Sequence, residues 1–417
     1  MPAMTQKKKL AAASRLLHTD YPARDAYRSL SMPVYHAAAY EFDDAAQMEE
    51  AFTGRSADFA YSRLANPTVA HFENEVKAVT GAHDVMAFNS GMAAIADTFL
   101  ALAYAGSNIV TSPHIFGNTY SLFRSTLSDF GVAARLCDMN DPAAVEAAVD
   151  DDTVAVFLEA ITNPQLEVAD LRVLSAICRR RGVPLVVDTT VIPFTVFRAA
   201  ECGVDIEVVS STKYVSGGAT SLGGLVIDYA SFDCSRSKRL APLAKQFGNG
   251  AFAAKMRREI MRNLGAYMTP HVAYMQTLGL ETMQVRYERA ASSCLALARR
   301  LRTLPGIVRV NYTGLEENPY HELSRSLFGE TAGAMMTVDL ASREACFRMI
   351  DRLRLIRRAT NLFDNKSLAI HPASTIFGTF SEEERRKMDV SELTVRLSIG
   401  LEDPDDLFED IRQALDE

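Results

Sequence analysis

One feature restricts the fold of this chain more than any other. Between Asn66 and Tyr214, short apolar runs alternate with amphipathic stretches, about one pair per 25–30 residues. The runs HDVMAF (83–88), NIVTSPH (108–114), TVAVFLEA (153–160), VPLVVD (183–188) and DIEVVSSTKY (205–214) read as strands. Between them, NPTVAHFENEVKAVTG (66–81), NSGMAAIADTFLALAYAG (89–106), TYSLFRSTLSDFG (119–131) and VADLRVLSAICRRRG (168–182) read as helices, each stopped by a glycine. Strand–helix alternation predicts an α/β domain with a mostly parallel sheet. Strands of such a sheet are buried on both faces, which accounts for continuous runs such as VPLVV.

The flanks differ. The first 65 residues lack this rhythm, carry Pro22, Pro33 and several aromatics, and read as an N-terminal arm that packs on something else. Residues 66–260 form the expected large domain. From 261 to 417 the chain reads as long helices followed by GAMMTVDL (333–340), LAIHP (368–372) and LTVRLSIG (393–400), a smaller C-terminal α/β domain with antiparallel strands. A chain of 417 residues exceeds one ordinary domain, and 48% hydrophobic residues suffice for a large core.

Composition narrows the function. The net charge of −8 comes without a basic stripe, so nucleic acid is not an expected partner. Lys7-Lys8-Lys9 reads as a solvated chain end. No apolar stretch approaches the ~20 residues of a spanning helix. The six cysteines are scattered without CxxC or metal-like spacing, which suggests the cytoplasm and no metal site.

In open α/β sheets, ligands bind beyond the carboxyl ends of the strands. The polar residues falling there are Asn89-Ser90-Gly91, His114 to Gly117, Asn163, Asp188, and Ser210 to Lys213. Singly, each has a plain reading: a helix cap at Ser90, turn residues at Asn163 and Asp188, a surface lysine at Lys213. The glycine-rich GGATSLGG (217–224) lacks the Lys-Ser/Thr pair of a nucleotide loop. Collectively they describe one chemistry. A lysine amine forms Schiff bases with carbonyl compounds. An aspartate one strand away suits a protonated pyridine nitrogen, and hydroxyls at Ser210 and Thr212 with the N–H groups of Gly91 and Met92 suit a phosphate. The group that needs this set is pyridoxal phosphate.

The motifs YSRLANPT (61–68), SGMAAI (90–95), SSTKYVSGG (210–218), HPAST (371–375) and VRLSIGLED (395–403) extend that reading. From about Tyr35 to Leu415 the chain resembles the Cys/Met-metabolism (trans-sulfuration) family of pyridoxal-phosphate enzymes. The resemblance implies fold type I, like aspartate aminotransferase, and a homotetramer of two active dimers. It implies that Lys213 is the Schiff-base lysine and proton carrier, and that Asp188 pairs with the ring nitrogen. Asn163 would contact the ring hydroxyl and Phe116 would stack on the ring. Ser90, Gly91, Met92, Ser210 and Thr212 would surround the phosphate, with Tyr61 and Arg63 reaching it from a neighbouring subunit; Tyr61 would also be catalytic. Arg396 would clamp the substrate carboxylate, with Asn361 nearby.

Segments 262–286, GGATSLGG and DNKSLAIHPAST (364–375) look most like O-acetylhomoserine sulfhydrylases. The implied reaction is γ-replacement: O-acetyl-L-homoserine with sulfide or methanethiol gives homocysteine or methionine, and acetate. The alternatives are a methionine/homocysteine γ-lyase, releasing 2-oxobutyrate, ammonia and thiol, and a cystathionine γ-synthase-like activity. This chain departs from the family pattern at Phe116, where a Tyr is usual, at Asn118, at Asn361, near a usual Ser, and at Ile376-Phe377, where Thr-His is usual.

Overall fold

The computed structural model describes residues 10–21, 25–330 and 332–416. Lys7, Lys8, Lys9 and Pro22 lie outside the described residues. The large sheet has seven strands: β1 (Asp84–Phe88), β2 (Asn108–Thr111), β3 (Ala133–Leu136), β4 (Thr153–Glu159), β5 (Leu185–Asp188), β6 (Ile206–Val209) and β7 (Gly224–Asp228), in the order β1-β7-β6-β5-β4-β2-β3. Strands β6, β5, β4, β2 and β3 are parallel, and only β7 runs against its neighbours. All five expected runs are strands. DIEVVSSTKY stops pairing at Val209, however, because the chain then turns tightly: Lys213 N–H bonds Ser210 O and Ser216 N–H bonds Ser211 O. Lys213 therefore sits on a turn beyond the sheet edge.

The covering helices follow local chemistry. Asn66 caps Pro67–Thr80 by accepting from the Thr68 N–H at 2.9 Å, and Pro67 has the fixed φ that a first turn needs. Gly81 ends that helix at φ 74°, a left-handed conformation that favours glycine. Asp170 caps Leu171–Arg181 in the same way. The helix expected to reach Gly106 stops at Leu102, since Ser107 closes a turn on Tyr104 through both its N–H and C=O. The segment 119–131 becomes a short helix, Gly117–Ser121, followed by a wider π-type turn rather than one regular helix.

Both faces of the sheet are buried. On β5, Leu185 and Val187 belong to one apolar cluster and Val186 to another. The first cluster continues into the C-terminal part through Met335, Val395 and Leu407. There a second sheet orders β10-β11-β12-β9-β8, formed by β8 (Arg309–Asn311), β9 (Met335–Asp339), β10 (Arg357–Arg358), β11 (Leu368–Ile370) and β12 (Thr394–Ser398). Its pairings are antiparallel apart from β10 with β11. Among the described residues no helix is long and apolar enough to cross a membrane. The six cysteines are unpaired.

Candidate active site

The carboxyl ends of β1, β4, β5 and β6 share one edge of the large sheet, and a cavity of about 290 Å³ opens over it. Its lining includes Gly91, Met92, Phe116, Asn163, Asp188, Ser210, Lys213 and Arg396, eight of the residues singled out from the sequence. They come from six separate stretches of chain, and β12 brings Arg396 from the other sheet.

Close packing builds the rim. Ser90 caps the helix Gly91–Leu102 through the Ala93 N–H at 3.1 Å, so the free N–H groups of its first turn face the cavity rim. This helix end abuts the turn after β6: a Cβ on Gly91 would lie 2.8 Å from Ser210 Cβ and 3.0 Å from its Cα. Gly91→Ala should therefore destabilise the protein by about 1–3 kcal/mol, as overpacking does. Thermal unfolding of the variant checks this, and an unchanged midpoint would contradict the close approach. Thr212 turns away from the cavity, exchanging hydrogen bonds with Gly223 at 3.1 and 3.2 Å, which fixes GGATSLGG to the turn.

Lys213 Nζ donates to Asn361 Oδ1 at 2.9 Å, and Asn361 Nδ2 is held in turn by Asp364 at 3.2 Å. Asn361 thus meets the lysine as well as bordering the arginine. Burial is the main cause that lowers the Lys213 pKa to about 8; Arg396 adds repulsion and Asp188 opposes the shift. The Asp188 carboxyl is pushed up by burial, partly offset by Thr190, whose N–H donates to it at 2.9 Å. Thr190 Oγ1 also accepts from the Ser210 N–H at 2.8 Å, joining the ends of β5 and β6.

Arg396 is 2% exposed. It donates to Asn163 Oδ1 at 3.1 Å, to Asn361 O at 3.3 Å and, at the limit of a hydrogen bond, to Thr360 O at 3.5 Å. Its Nε has no hydrogen-bond partner, and burial alone pushes its pKa down. Among the described residues no carboxylate pairs with it, so a structural ion pair does not explain it. A buried guanidinium with a free donor is suited to an anion that arrives from outside.

Two expected residues lie apart. Tyr61 is 41% exposed, and Arg63 stacks over its ring at 5.4 Å while donating to Arg262 O. Neither lines the cavity. His114 also points elsewhere, bonding Glu167 at 2.6 Å and Asp389 at 3.0 Å. Conversely, Glu159, Thr190, Val191, Thr360 and Leu362 line the cavity without having been singled out, and Ile376, one of the departures from the family pattern, lines it too. Glu159 had a signal, since it ends a buried strand at the same edge as Asp188.

The set fits pyridoxal phosphate. An amine, a buried carboxyl, a helix N-terminus packed against Ser210 and an arginine with an unpartnered Nε meet in one enclosure. Comparison with known proteins agrees. Residues 13–416 match the family of Cys/Met metabolism PLP-dependent enzymes. Sulfhydrylase FUB7 of Fusarium oxysporum f. sp. lycopersici is 33% identical over 95% of each chain. O-acetyl-L-homoserine sulfhydrylase 1 of Thermus thermophilus is 34% identical over 96% of this chain and 98% of its own. The structure of the Campylobacter jejuni protein named for O-acetylhomoserine (thiol)-lyase superposes with a TM-score of 0.91 at 33% identity, over 98% of this chain and all of the other. That structure carries N'-pyridoxyl-lysine-5'-monophosphate at its position 205.

Proposed function

Because this chain belongs to the Cys/Met metabolism PLP-dependent enzymes, we propose that it catalyses γ-replacement on O-acetyl-L-homoserine, with sulfide or methanethiol as the incoming nucleophile. The products are homocysteine or methionine, and acetate. The observation that carries this reading is the convergence of Lys213, Asp188 and Arg396 on one cavity. The names of relatives from Thermus, Corynebacterium and Schizosaccharomyces, sulfhydrylases and a homocysteine synthase, support the choice of substrate.

When bound, pyridoxal phosphate supplies an electron-withdrawing ring that stabilises negative charge on the carbons of an attached amino acid. The chain's own groups do the rest. Lys213 Nζ would hold the cofactor and, as a free amine, would move protons at the substrate's α- and β-carbons, a task that its lowered pKa favours near neutral pH. Asn361 holds that amine in reach of the cavity. Asp188, in the lining of the same cavity, would pair with the ring nitrogen. Ser210 and the N–H groups of Gly91 and Met92 receive the phosphate. Arg396 takes the α-carboxylate with its free Nε and a terminal nitrogen. Phe116 and Val191 supply apolar walls for the ring and exclude water beside it. Phe116 has no hydroxyl, so protonation of the leaving group would fall to Lys213, to Tyr61 of a neighbouring copy or to water.

We assign Tyr61 and Arg63 to the phosphate of a neighbouring copy, within a homotetramer. Their absence from the lining of this chain's own cavity and the exposure of Tyr27, Leu30, Met48 and Phe52 on the same arm support that assignment. The unpaired cysteines suit a reducing cytoplasm.

The test is a product assay. Purified holoenzyme given O-acetyl-L-homoserine and sulfide should release homocysteine with kcat on the order of 1–10³ s⁻¹. No homocysteine, together with rapid 2-oxobutyrate from methionine, would replace this reading with the γ-lyase.

A further inference from the structure

The mechanism leaves one buried acid of the cavity unused. Glu159 ends β4 directly beside Asp188 at the end of β5, and the parallel register pairs the two residues. Glu159 is 7% exposed. One of its oxygens accepts from the Phe116 N–H at 2.6 Å and the other from the Asn163 N–H at 3.3 Å. Those two backbones carry the Phe116 ring, which lines the cavity, and the Asn163 amide, whose Oδ1 accepts from Arg396. A single carboxyl group thus ties the loop after β2 and the loop after β4 to the sheet edge.

Two buried carboxyl groups on neighbouring strands do not both ionise easily, because each charge lacks water and repels the other. The titratable and charged groups around the pair are Lys213 from the turn after β6, Arg396 from β12 and the buried Glu207 of β6, which accepts from Thr189 and Tyr229 and whose pKa burial and Asp188 push up. Asp188 is the better placed to hold the negative charge, since Thr190 donates to it and Lys213 attracts it. Glu159 meets burial and the repulsion of Asp188, which outweigh its two N–H bonds and push its pKa well up.

We propose that Glu159 is a positioning residue of this site: it carries the one proton of the Glu159–Asp188 pair, leaving a single negative charge for the ring nitrogen, while its oxygens hold the Phe116 and Asn163 loops in place. A charged Glu159 would compete with the substrate carboxylate for the field of Arg396. A neutral one leaves that field intact. The inference rests on the assignment of Asp188 and Lys213 above and adds the protonation state and role of a residue outside it.

The experiment uses holoenzyme, wild type and the variants Glu159→Gln and Glu159→Ala. Infrared difference spectra should contain the carbonyl stretch of a buried protonated carboxylic acid in wild type, and Glu159→Gln should remove it. Glu159→Gln exchanges a neutral group for a neutral group, so the pH midpoint of the cofactor's visible absorption should stay within ~0.3 units of wild type. Glu159→Ala unties both loops and should weaken pyridoxal phosphate binding to apoenzyme by ~10–100-fold, as loss of supporting contacts behind a site does. The proposal is overturned if wild type lacks the carboxylic acid band. A fall of a full unit or more in the Glu159→Gln midpoint also overturns it, since that is the sign for loss of a negative charge beside a cation. Cofactor affinity unchanged in Glu159→Ala, with the same unfolding midpoint, removes the positioning role. If Glu159→Ala does not fold, the spectra of wild type and Glu159→Gln still decide the protonation claim. Failure of the Asp188 and Lys213 assignment is seen separately, as cofactor absorption that survives in Lys213→Ala.

Discussion

Lys213→Ala is expected to abolish turnover, by at least ~10³-fold, and to remove the visible absorption of the bound cofactor, while leaving the unfolding temperature where it was or slightly higher. The two halves of this expectation come from the same observation. Lys213 Nζ has one hydrogen bond, to Asn361, and sits in an environment that disfavours its charge through burial and the nearby Arg396. Removing the amine therefore relieves desolvation and costs little packing. Residues held by function rather than by stability behave in this way. Absorption spectra and thermal melts of wild type and variant are the measurements, and a variant that keeps its colour contradicts the anchor. Lys213→Arg should fail equally, since a guanidinium does not shed a proton to attack a carbonyl.

The same environment gives a pH dependence. Only the neutral amine is nucleophilic, and burial lowers the Lys213 pKa from 10.5 to about 8. Because the shift is downward, the reactive form accumulates as pH rises towards 8 and is largely complete above it. The rate at which apoenzyme takes up pyridoxal phosphate should rise about tenfold per pH unit below the midpoint and level off beyond it. A rate still climbing at pH 10 would mean that the lysine behaves like one in water.

Much of this fold and site is legible in the sequence. The apolar runs that became β1, β2, β4, β5 and β6 are legible because strands buried on both faces leave no choice of residue type. Two strands of the large sheet escaped. Ala133–Leu136 is an edge strand with half-exposed positions, so it has no continuous apolar run. Gly224–Asp228 follows a glycine-rich loop that drew attention to itself, and its antiparallel course breaks the alternation used to find the others. In the site, strand-end reasoning found Asp188 and Lys213 but passed over Glu159, which lay inside the run TVAVFLEA, whereas the strand ends at Glu159. Nothing local marks a carboxyl as facing a cavity; only the register of β4 against β5 does. Arg396 came from the family motif and not from periodicity. Its unpaired state depends on β12 meeting the large sheet's edge, a tertiary fact.

That unpaired state makes Arg396 the second large effect. Arg396→Met is expected to raise the KM for the amino-acid substrate by ~30–4,000-fold, the equivalent of about 2–5 kcal/mol for losing one partner of a desolvated charge pair. In the same variant, stability should hold or increase. The guanidinium is 2% exposed, faces three neutral oxygens at 3.1–3.5 Å, and leaves Nε without a partner. Such a buried cation is costly to the empty protein, and a methionine of similar length lowers that cost. The acceptors it abandons are few, and Asn163 and Thr360 border the cavity, where water can replace the lost donor. A structural ion pair predicts the opposite pattern, a loss of about 3–5 kcal/mol in stability when one partner is removed. Denaturation midpoints and steady-state kinetics on the same preparations separate the two. A destabilised variant with an unchanged KM would make Arg396 a strut. A stable variant with a large rise in KM and a smaller fall in kcat would make it the carboxylate site, since uniform binding lost from ground and transition states appears in KM. Arg396→Lys should recover only part of the affinity, because a single ammonium does not reproduce a two-point contact with a carboxylate.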